Sequence, residues 1–122
     1  MAYFFGISAN QPVLRLTRQT YIENKPVTHY ESYLSPIVPI DDQKDMNGSM
    51  YDVLQKSGYP ITRVKERLTA SIMNAKEKEM FGIHKNEAII NRIRMGYSND
   101  IAIEYTYSKY VATGYELVID SK

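Results

Sequence analysis

The sequence predicts an α+β domain written twice from one unit, a short helix followed by a β-hairpin. Three observations carry that prediction. The run FGIHKNEAIINRIRMGYSNDIAIEYTYSKY, beginning at Phe81, lies without a gap on FGISANQPVLRLTRQTYIENKPVTHYESYL, beginning at Phe5, an offset of 76 residues. Phe81, Gly82, Ile83, Arg94 and Tyr97 then meet Phe5, Gly6, Ile7, Arg18 and Tyr21, the kind of self-similarity that marks a repeated structural unit. In the second copy, Asn74 with Glu77 three residues on has the form of a capping box, and Gly82 is placed to take the left-handed conformation that ends a helix. Finally, Ala88 to Tyr97 and Ile101 to Tyr110 are rich in Ile, Tyr and Thr and are parted by Ser98-Asn99-Asp100, a turn composition between two strands.

In chain order, only Phe5-Gly6-Ile7 stands where the leading helix of the first copy belongs, so the sequence reads as cut from something longer. Pro12 to Ile22 is the first expected strand. Alternation puts Leu14, Leu16, Arg18, Thr20 and Ile22 on one face and Val13, Arg15, Thr17, Gln19 and Tyr21 on the other. Pro26 to Leu34 returns antiparallel past Glu23-Asn24-Lys25, with Thr28, Tyr30 and Ser32 sharing a face. The run SPIVPIDDQKDMN, Ser35 to Asn47, has two Pro and several acids and reads as a connecting loop. Ser49 with Asp52 suggests a second capping box opening the helix MYDVLQKS, which stops at Gly58. Ile61 to Met73 is an expected long strand, Asn74 to Phe81 a short helix, and Tyr115 to Ile119 a last strand closing the sheet.

Composition bounds the function. The 122 residues suffice for one domain with its own core, and 43% hydrophobic content with mixed charge is ordinary for a globular chain. With no Cys there is no disulfide framework, thiolate nucleophile or cysteine-ligated metal. No apolar run approaches the roughly 20 residues of a membrane span, and the start lacks the form of a signal peptide; a cytoplasmic chain without membrane attachment is expected. The net charge is +1, and basic residues are interspersed with acids, so no basic stripe of the kind that grips nucleic acid is expected. Eleven Tyr and no Trp suit half-buried strand faces, or a pocket needing apolar area with a polar handle.

Several residues stand out as candidates. Arg18 projects from the more apolar face of its strand, where a guanidinium needs an anionic or hydrogen-bonding partner, internal or bound. The helix opened by Ser49 presents free N–H groups and a positive dipole end, to which Ser49 and Tyr51 add hydroxyls; the simpler alternative is a cap serving only its helix. With Asn99 central in the turn, Arg94 lies directly across from Glu104, which offers an ion pair. Glu104, Thr106, Ser108 and Tyr110 share a face. His29 and His84 stand apart from any relay or metal-ligand spacing, and no phosphate loop, dinucleotide fingerprint or HExxH is present. No catalytic residue, metal or cofactor is expected.

Four runs in order, PVLRLTRQTYIENKPV, SMYDVLQKSGYPI, AKEKEMFGIHKNEAIINRIR and AIEYTYSKY, resemble the UTRA effector-binding domain of HutC-type GntR transcription regulators over nearly the whole chain. The resemblance implies a chorismate-lyase-like α+β fold, an antiparallel sheet flanked by short helices. It implies a single domain over residues 1–122, N-terminally truncated and lacking the family's DNA-binding winged helix-turn-helix. It also implies a homodimer that senses a small polar metabolite such as a sugar phosphate and reaches DNA only through that absent module. The family's ligand residues fall on Arg18, Ser49, Glu104 and Tyr110. A second Arg common in the family is Thr20 here, a Glu is Tyr30, and the Arg and Asp after the final Tyr are Val111 and Thr113. A phosphate would therefore lean on Arg18, Ser49 and backbone N–H groups. Two other readings stand beside the sensor: a chorismate-lyase-like enzyme using Arg18 and Glu104, and a dimerisation module without ligand.

Overall fold

The structure is a computed structural model that describes residues 2–39 and 50–120. Helix α1 spans Ala2–Phe5, strands β1 and β2 span Leu14–Ile22 and Lys25–Leu34, and helix α2 spans Met50–Lys56. Strand β3 (Arg63–Ile72), helix α3 (Ala75–Phe81) and strands β4 (Ala88–Ser98) and β5 (Ile101–Val111) complete the elements. The strands form one antiparallel sheet in the order β1-β2-β5-β4-β3.

Local chemistry explains the boundaries. Asn74 accepts from the Glu77 amide at 2.8 Å while Glu77 accepts from the Asn74 amide at 2.9 Å, which satisfies two amides that helix geometry leaves without partners. Gly82 ends α3 at φ 64°. The β1–β2 turn holds Glu23 and Asn24 at φ 52° and 65°, the mirror-image turn that matches strand twist.

The repeat is a two-fold in space. On the inner strands Glu31 pairs with Tyr107, its own equivalent at an offset of 76. Thr28↔Tyr110 and Leu34↔Glu104 exchange under the same offset, so a local dyad passes through the Glu31–Tyr107 pair. The two hairpins are its halves, and β3 is the additional strand on the outside of the second.

Three expectations need correction. Tyr115–Ile119 does not join the sheet: the Tyr115 ring packs tilted against Tyr110 with ring centres 4.9 Å apart, while Val118 and Ile119 are 77% and 78% exposed. Strand-forming residues require a partner ladder, which this segment does not meet. The strands expected from Pro12 and Ile61 begin at Leu14 and Arg63. The second hairpin turns on Asn99-Asp100 with an irregularity at Gly96/Tyr97, so Gly96 faces Glu104 and Arg94 faces Thr106. An extra residue in one strand moves the facing partner without changing the exposed face.

Two small cores hold the helices to the sheet. Leu34, Val38, Leu54 and Ile103 anchor α2, with Met50, Tyr59 and Ile61 against them, while Met73, Phe81 and Ile89 anchor α3. Leu34, Leu54 and Ile103 are at most 1% exposed. Burying side chains of this kind is worth about 1.5–3 kcal/mol each.

Candidate functional site

The sheet face carrying the even-numbered residues of β2 and β5 meets α2 over a cavity of about 390 Å³, within the range of small-molecule sites. Its floor comes from both halves of the dyad. Tyr30 and Ser32 rise from β2, with Glu104, Thr106, Ser108 and Tyr110 from β5; Arg18 lines one side, Arg92 and Arg94 the other, and Met50 and Tyr51 of α2 form the roof. A larger cavity of about 670 Å³ beside α1 is lined mainly by aromatic and aliphatic groups, with Asp100 as its charged side chain. The smaller one sets three arginines and a buried carboxylate among hydroxyls; a cavity of about 380 Å³ beside α3 also holds Arg67, Glu77 and Lys109 with hydroxyls, but there Glu77 and Lys109 are already paired to each other, so the α2 cavity is the better candidate.

Glu104 is the fixed point of the site. It is 5% exposed, and burial of a carboxylate demands partners. Thr106 Oγ1 donates to its Oε2 at 2.6 Å, and Ser32 Oγ lies 2.9 Å from the same Thr106 oxygen. Because the threonine proton is committed to the carboxylate, Ser32 must be the donor to Thr106. The other carboxylate oxygen lies 3.5 Å from Arg94 Nε, an ion pair without hydrogen-bond geometry. Gly96 makes room for this arrangement: a Cβ there would stand 2.7 Å from Glu104 Oε1 and 2.8 Å from Ile61 Cδ1.

The arginines differ in their attachments. The Arg94 guanidinium lies over the Tyr51 ring at 4.6 Å and that of Arg18 approaches the Tyr30 ring at 5.8 Å. Arg92 is ion-paired to Glu66 of β3 through Nη2. Burial works against its charge, yet the hydrogen bond to Glu66 and the contact with Tyr110 hold its pKa above the ordinary value. The Nε atoms of Arg92 and Arg94 are both buried with no hydrogen-bond partner. Tyr30 and Tyr110 meet edge to face at 5.9 Å, and burial, then the bond to Tyr110, raise the Tyr30 pKa. The Tyr30 hydroxyl therefore keeps its proton and remains a donor near neutral pH.

Of the residues singled out from sequence, Arg18, Tyr30, Tyr51, Arg94, Glu104 and Tyr110 line this one cavity. Thr20 is exposed at the β1–β2 irregularity and lies outside the cavity lining. Ser49 lies outside the described residues. The Arg94–Glu104 pair forms diagonally across the strands, with its carboxylate buried rather than on a solvent-facing surface. Arg92, Ser32, Thr106 and Ser108 are lining residues that sequence reasoning did not select as ligands. Parity was the available signal, because Arg92 shares the Arg94 face and Thr106 and Ser108 share the Glu104 face.

Outside the cavity, Glu77 and Lys109 form an ion pair beneath α3, with Asn91 accepting from the same ammonium at 3.3 Å. Arg63, Lys65 and Arg67 share one face of β3, a short basic stripe where scattered charge was expected. Charges on an exposed edge strand discourage pairing with other chains. No group of three or more His, Cys, Asp or Glu is placed to hold a metal ion, and no helix is long and apolar enough to cross a membrane, among the described residues.

Comparison with known proteins follows the same lines. The UTRA domain family model matches residues 1–116. None of the curated proteins matches the chain. Among solved structures, a GntR-family transcriptional regulator from Enterococcus faecalis V583 superposes with a TM-score of 0.84 at 16% identity, over 98% of this chain and 88% of that one. PhnF from Mycobacterium smegmatis gives 0.81 at 21% identity, over 99% of this chain and 56% of PhnF. The C-terminal domain of YurK from Bacillus subtilis subsp. subtilis str. 168 gives 0.78 at 21%, over 98% and 86%. The chain thus spans little more than half of PhnF and most of the isolated YurK domain. With its five-stranded antiparallel sheet and short helices, the chain belongs to the UTRA domain family and has its chorismate-lyase-like fold.

Proposed function

We propose that this chain is the effector-binding and dimerisation domain of a bacterial, cytoplasmic transcription regulator of the HutC subfamily. It senses a small polar metabolite, with a phosphorylated sugar foremost, and carries out no chemistry of its own. DNA is reached through a winged helix-turn-helix outside these residues, and the functional unit is a homodimer. The observation that carries this reading is the cavity itself: three arginines, one buried carboxylate and a set of hydroxyls converge from both hairpins and α2 on a space of ligand size. Arg18, Tyr30, Tyr51, Arg94, Glu104 and Tyr110 are its ligand contacts; Ser49 and Thr20 complete the set expected from the sequence, Thr20 standing outside the cavity lining.

Because groups from both halves of the dyad meet there, a bound ligand would favour one arrangement of the two hairpins and α2. A linked module reads that shift when the two states differ in ligand affinity, and a coupling of about 1–3 kcal/mol suffices. A thermal-shift screen against sugar phosphates, free sugars, amino acids and chorismate tests the proposal. A ligand present at 100 times its dissociation constant stabilises by about 2.7 kcal/mol, a shift of several degrees. Loss of that shift in Arg18→Ala and Glu104→Ala variants supports the site. A confirmed ligand indifferent to both variants would refute it, and consumption of chorismate with pyruvate release would replace the sensor with an enzyme.

A further inference from the structure

We infer that the free edge of β3 is the homodimer contact: two copies pair their β3 strands antiparallel about a two-fold axis at Leu68, which joins the two sheets into one. The inference rests on the homodimer reading above and assigns that dimer its surface and its register.

β3 ends the sheet, so one of its sides has no neighbouring strand among the described residues. All ten of its residues are exposed, and its ladder with β4 runs from Arg63↔Tyr97 to Ile72↔Ala88 without a shift. β1, the other edge, is interrupted at Thr20/Tyr21, and an irregularity of that kind turns an edge away from partners. A long, uninterrupted edge with apolar side chains is instead a template for another strand. Val64, Leu68, Ala70 and Ile72 supply those side chains, on the face that also carries Glu66. Alternation also fixes which backbone groups are free. The Met73 amide donates to the Glu87 carbonyl in the register of the ladder, and the Ala88 carbonyl accepts from the Ala112 amide on the far side of β4. Odd-numbered residues of β3 therefore bond to β4, and the amides and carbonyls of Val64, Glu66, Leu68, Ala70 and Ile72 point outward.

A second copy of the strand meets these requirements in one register. Outward-pointing residues bond only to outward-pointing residues, so even positions face even positions across an axis at which each contact is made twice. Charge selects among the registers that remain, because like charges directly opposite each other are destabilising. An axis at Lys65, Glu66 or Arg67 sets that side chain against its own counterpart, and an axis at Val64 sets Arg63 against Lys65. With the axis at Leu68, Arg67 faces Thr69, Lys65 faces Ser71, Val64 faces Ile72, Glu66 faces Ala70 and Leu68 faces itself. No like charges meet, apolar side chains meet apolar ones, and Glu66 is already neutralised by Arg92 of its own copy. An axis at Thr69 would set Glu66 against Ile72 and shorten the ladder. At Leu68 every outward amide and carbonyl from Val64 to Ile72 finds a partner. Arg63, Lys65 and Arg67, which discourage indiscriminate pairing, thus also specify the register.

The chain contains no Cys, so introduced thiols report the contact. Chains carrying Arg67→Cys and Thr69→Cys are mixed and mildly oxidised; in this register the two positions are directly opposed with Cα atoms about 4.5 Å apart, within reach of a disulfide. The mixture is expected to give at least fivefold more disulfide-linked dimer than either chain alone. Sedimentation velocity over a concentration series measures the dimer itself. Leu68→Lys sets two ammonium groups against each other at an exposed position and is expected to raise the dimer dissociation constant at least tenfold. Ile22→Lys, at the exposed end of the β1 edge, is expected to change it less than twofold. Far-ultraviolet circular dichroism and melting establish that each variant keeps its fold, and Leu68→Glu serves if Leu68→Lys does not. A parent that dimerises while Leu68→Lys dimerises equally well, or a mixture that links no better than its components, overturns the inference and leaves the homodimer reading standing. Loss of the dimer on removal of residues 116–122, with Leu68→Lys behaving as the parent, moves the contact to the tail and overturns it too. A parent that stays monomeric throughout the series overturns both.

Discussion

Replacing Gly96 by Ala tests whether the Glu104 carboxylate is as tightly seated as its burial implies. Gly96 is not among the residues with positive φ, so the substitution meets no backbone penalty, and removing a strand glycine should by itself add about 0.5–1 kcal/mol of stability. Against that gain stands a steric cost. The new Cβ would lie 2.7 Å from Glu104 Oε1, 2.8 Å from Ile61 Cδ1 and 3.2 Å from Glu104 Cβ, all inside ordinary contact. The first two atoms are side-chain ends, but Glu104 is 5% exposed and tied to Thr106 at 2.6 Å, so it cannot swing away freely. Overpacking of this kind costs about 1–3 kcal/mol, which leaves a net loss of about 1 kcal/mol. For a chain of this size that lowers Tm by about 3–6 °C. Urea and thermal unfolding of the parent, Gly96→Ala, Glu104→Ala and the double variant measure it. The glycine substitution should cost less in the Glu104→Ala background, because two residues in contact are energetically coupled. A Gly96→Ala chain as stable as the parent or more so would refute the claim that Glu104 is immobilised.

Other measurements test the fold and the site independently. Asn74→Ala removes half of the α3 capping box and should cost about 0.5–2 kcal/mol in denaturant unfolding, with Asn74→Ser retaining most of it. Thr106→Val should cost about 1–3 kcal/mol, since Ser32 and Glu104 would both lose their partner inside the sheet face; an unchanged midpoint would show that the network contributes nothing. Burial raises the Glu77 pKa, but hydrogen bonds from Lys109 and the Asn74 amide more than offset it and leave it below the usual value. The stability it contributes is therefore present above the ordinary Glu pKa and is lost as pH falls below about 4.5 through the folded value. In acid titrations followed by thermal melting, Glu77→Gln should flatten the decline that sets in below about pH 4.5; a parallel decline would refute the assignment. Burial likewise lowers the Lys109 pKa, while Glu77 raises it to a net upward shift. Its contribution holds below the ordinary Lys pKa and fades as pH rises through the raised value, so Lys109→Met should weaken the alkaline dependence above about pH 10.

Periodicity and turn chemistry make the repeated helix-plus-hairpin unit legible in the amino-acid sequence. Phe5-Gly6-Ile7 and Phe81-Gly82-Ile83 mark equivalent helix ends, and both glycines take positive φ, 68° and 64°. The Asn74–Glu77 cap, the Glu23-Asn24 turn and the shared face of Glu104, Thr106, Ser108 and Tyr110 depend on residues a few positions apart, where local sterics and hydrogen bonding set the outcome. The UTRA resemblance likewise pointed to the fold, and Arg18, Glu104 and Tyr110, which it singled out, line one cavity. Other features depend on residues far apart in the chain. The Gly96/Tyr97 irregularity shifts which β4 residue faces Glu104, and register answers to packing across the whole sheet. Tyr115–Ile119 has strand composition but forms no ladder with the sheet. Arg92 becomes notable only once Glu66, 26 residues earlier, fixes its guanidinium and α2 closes over the same face. The charge of an arginine is written in its chemistry, whereas an unpartnered buried Nε is a property of everything packed around it.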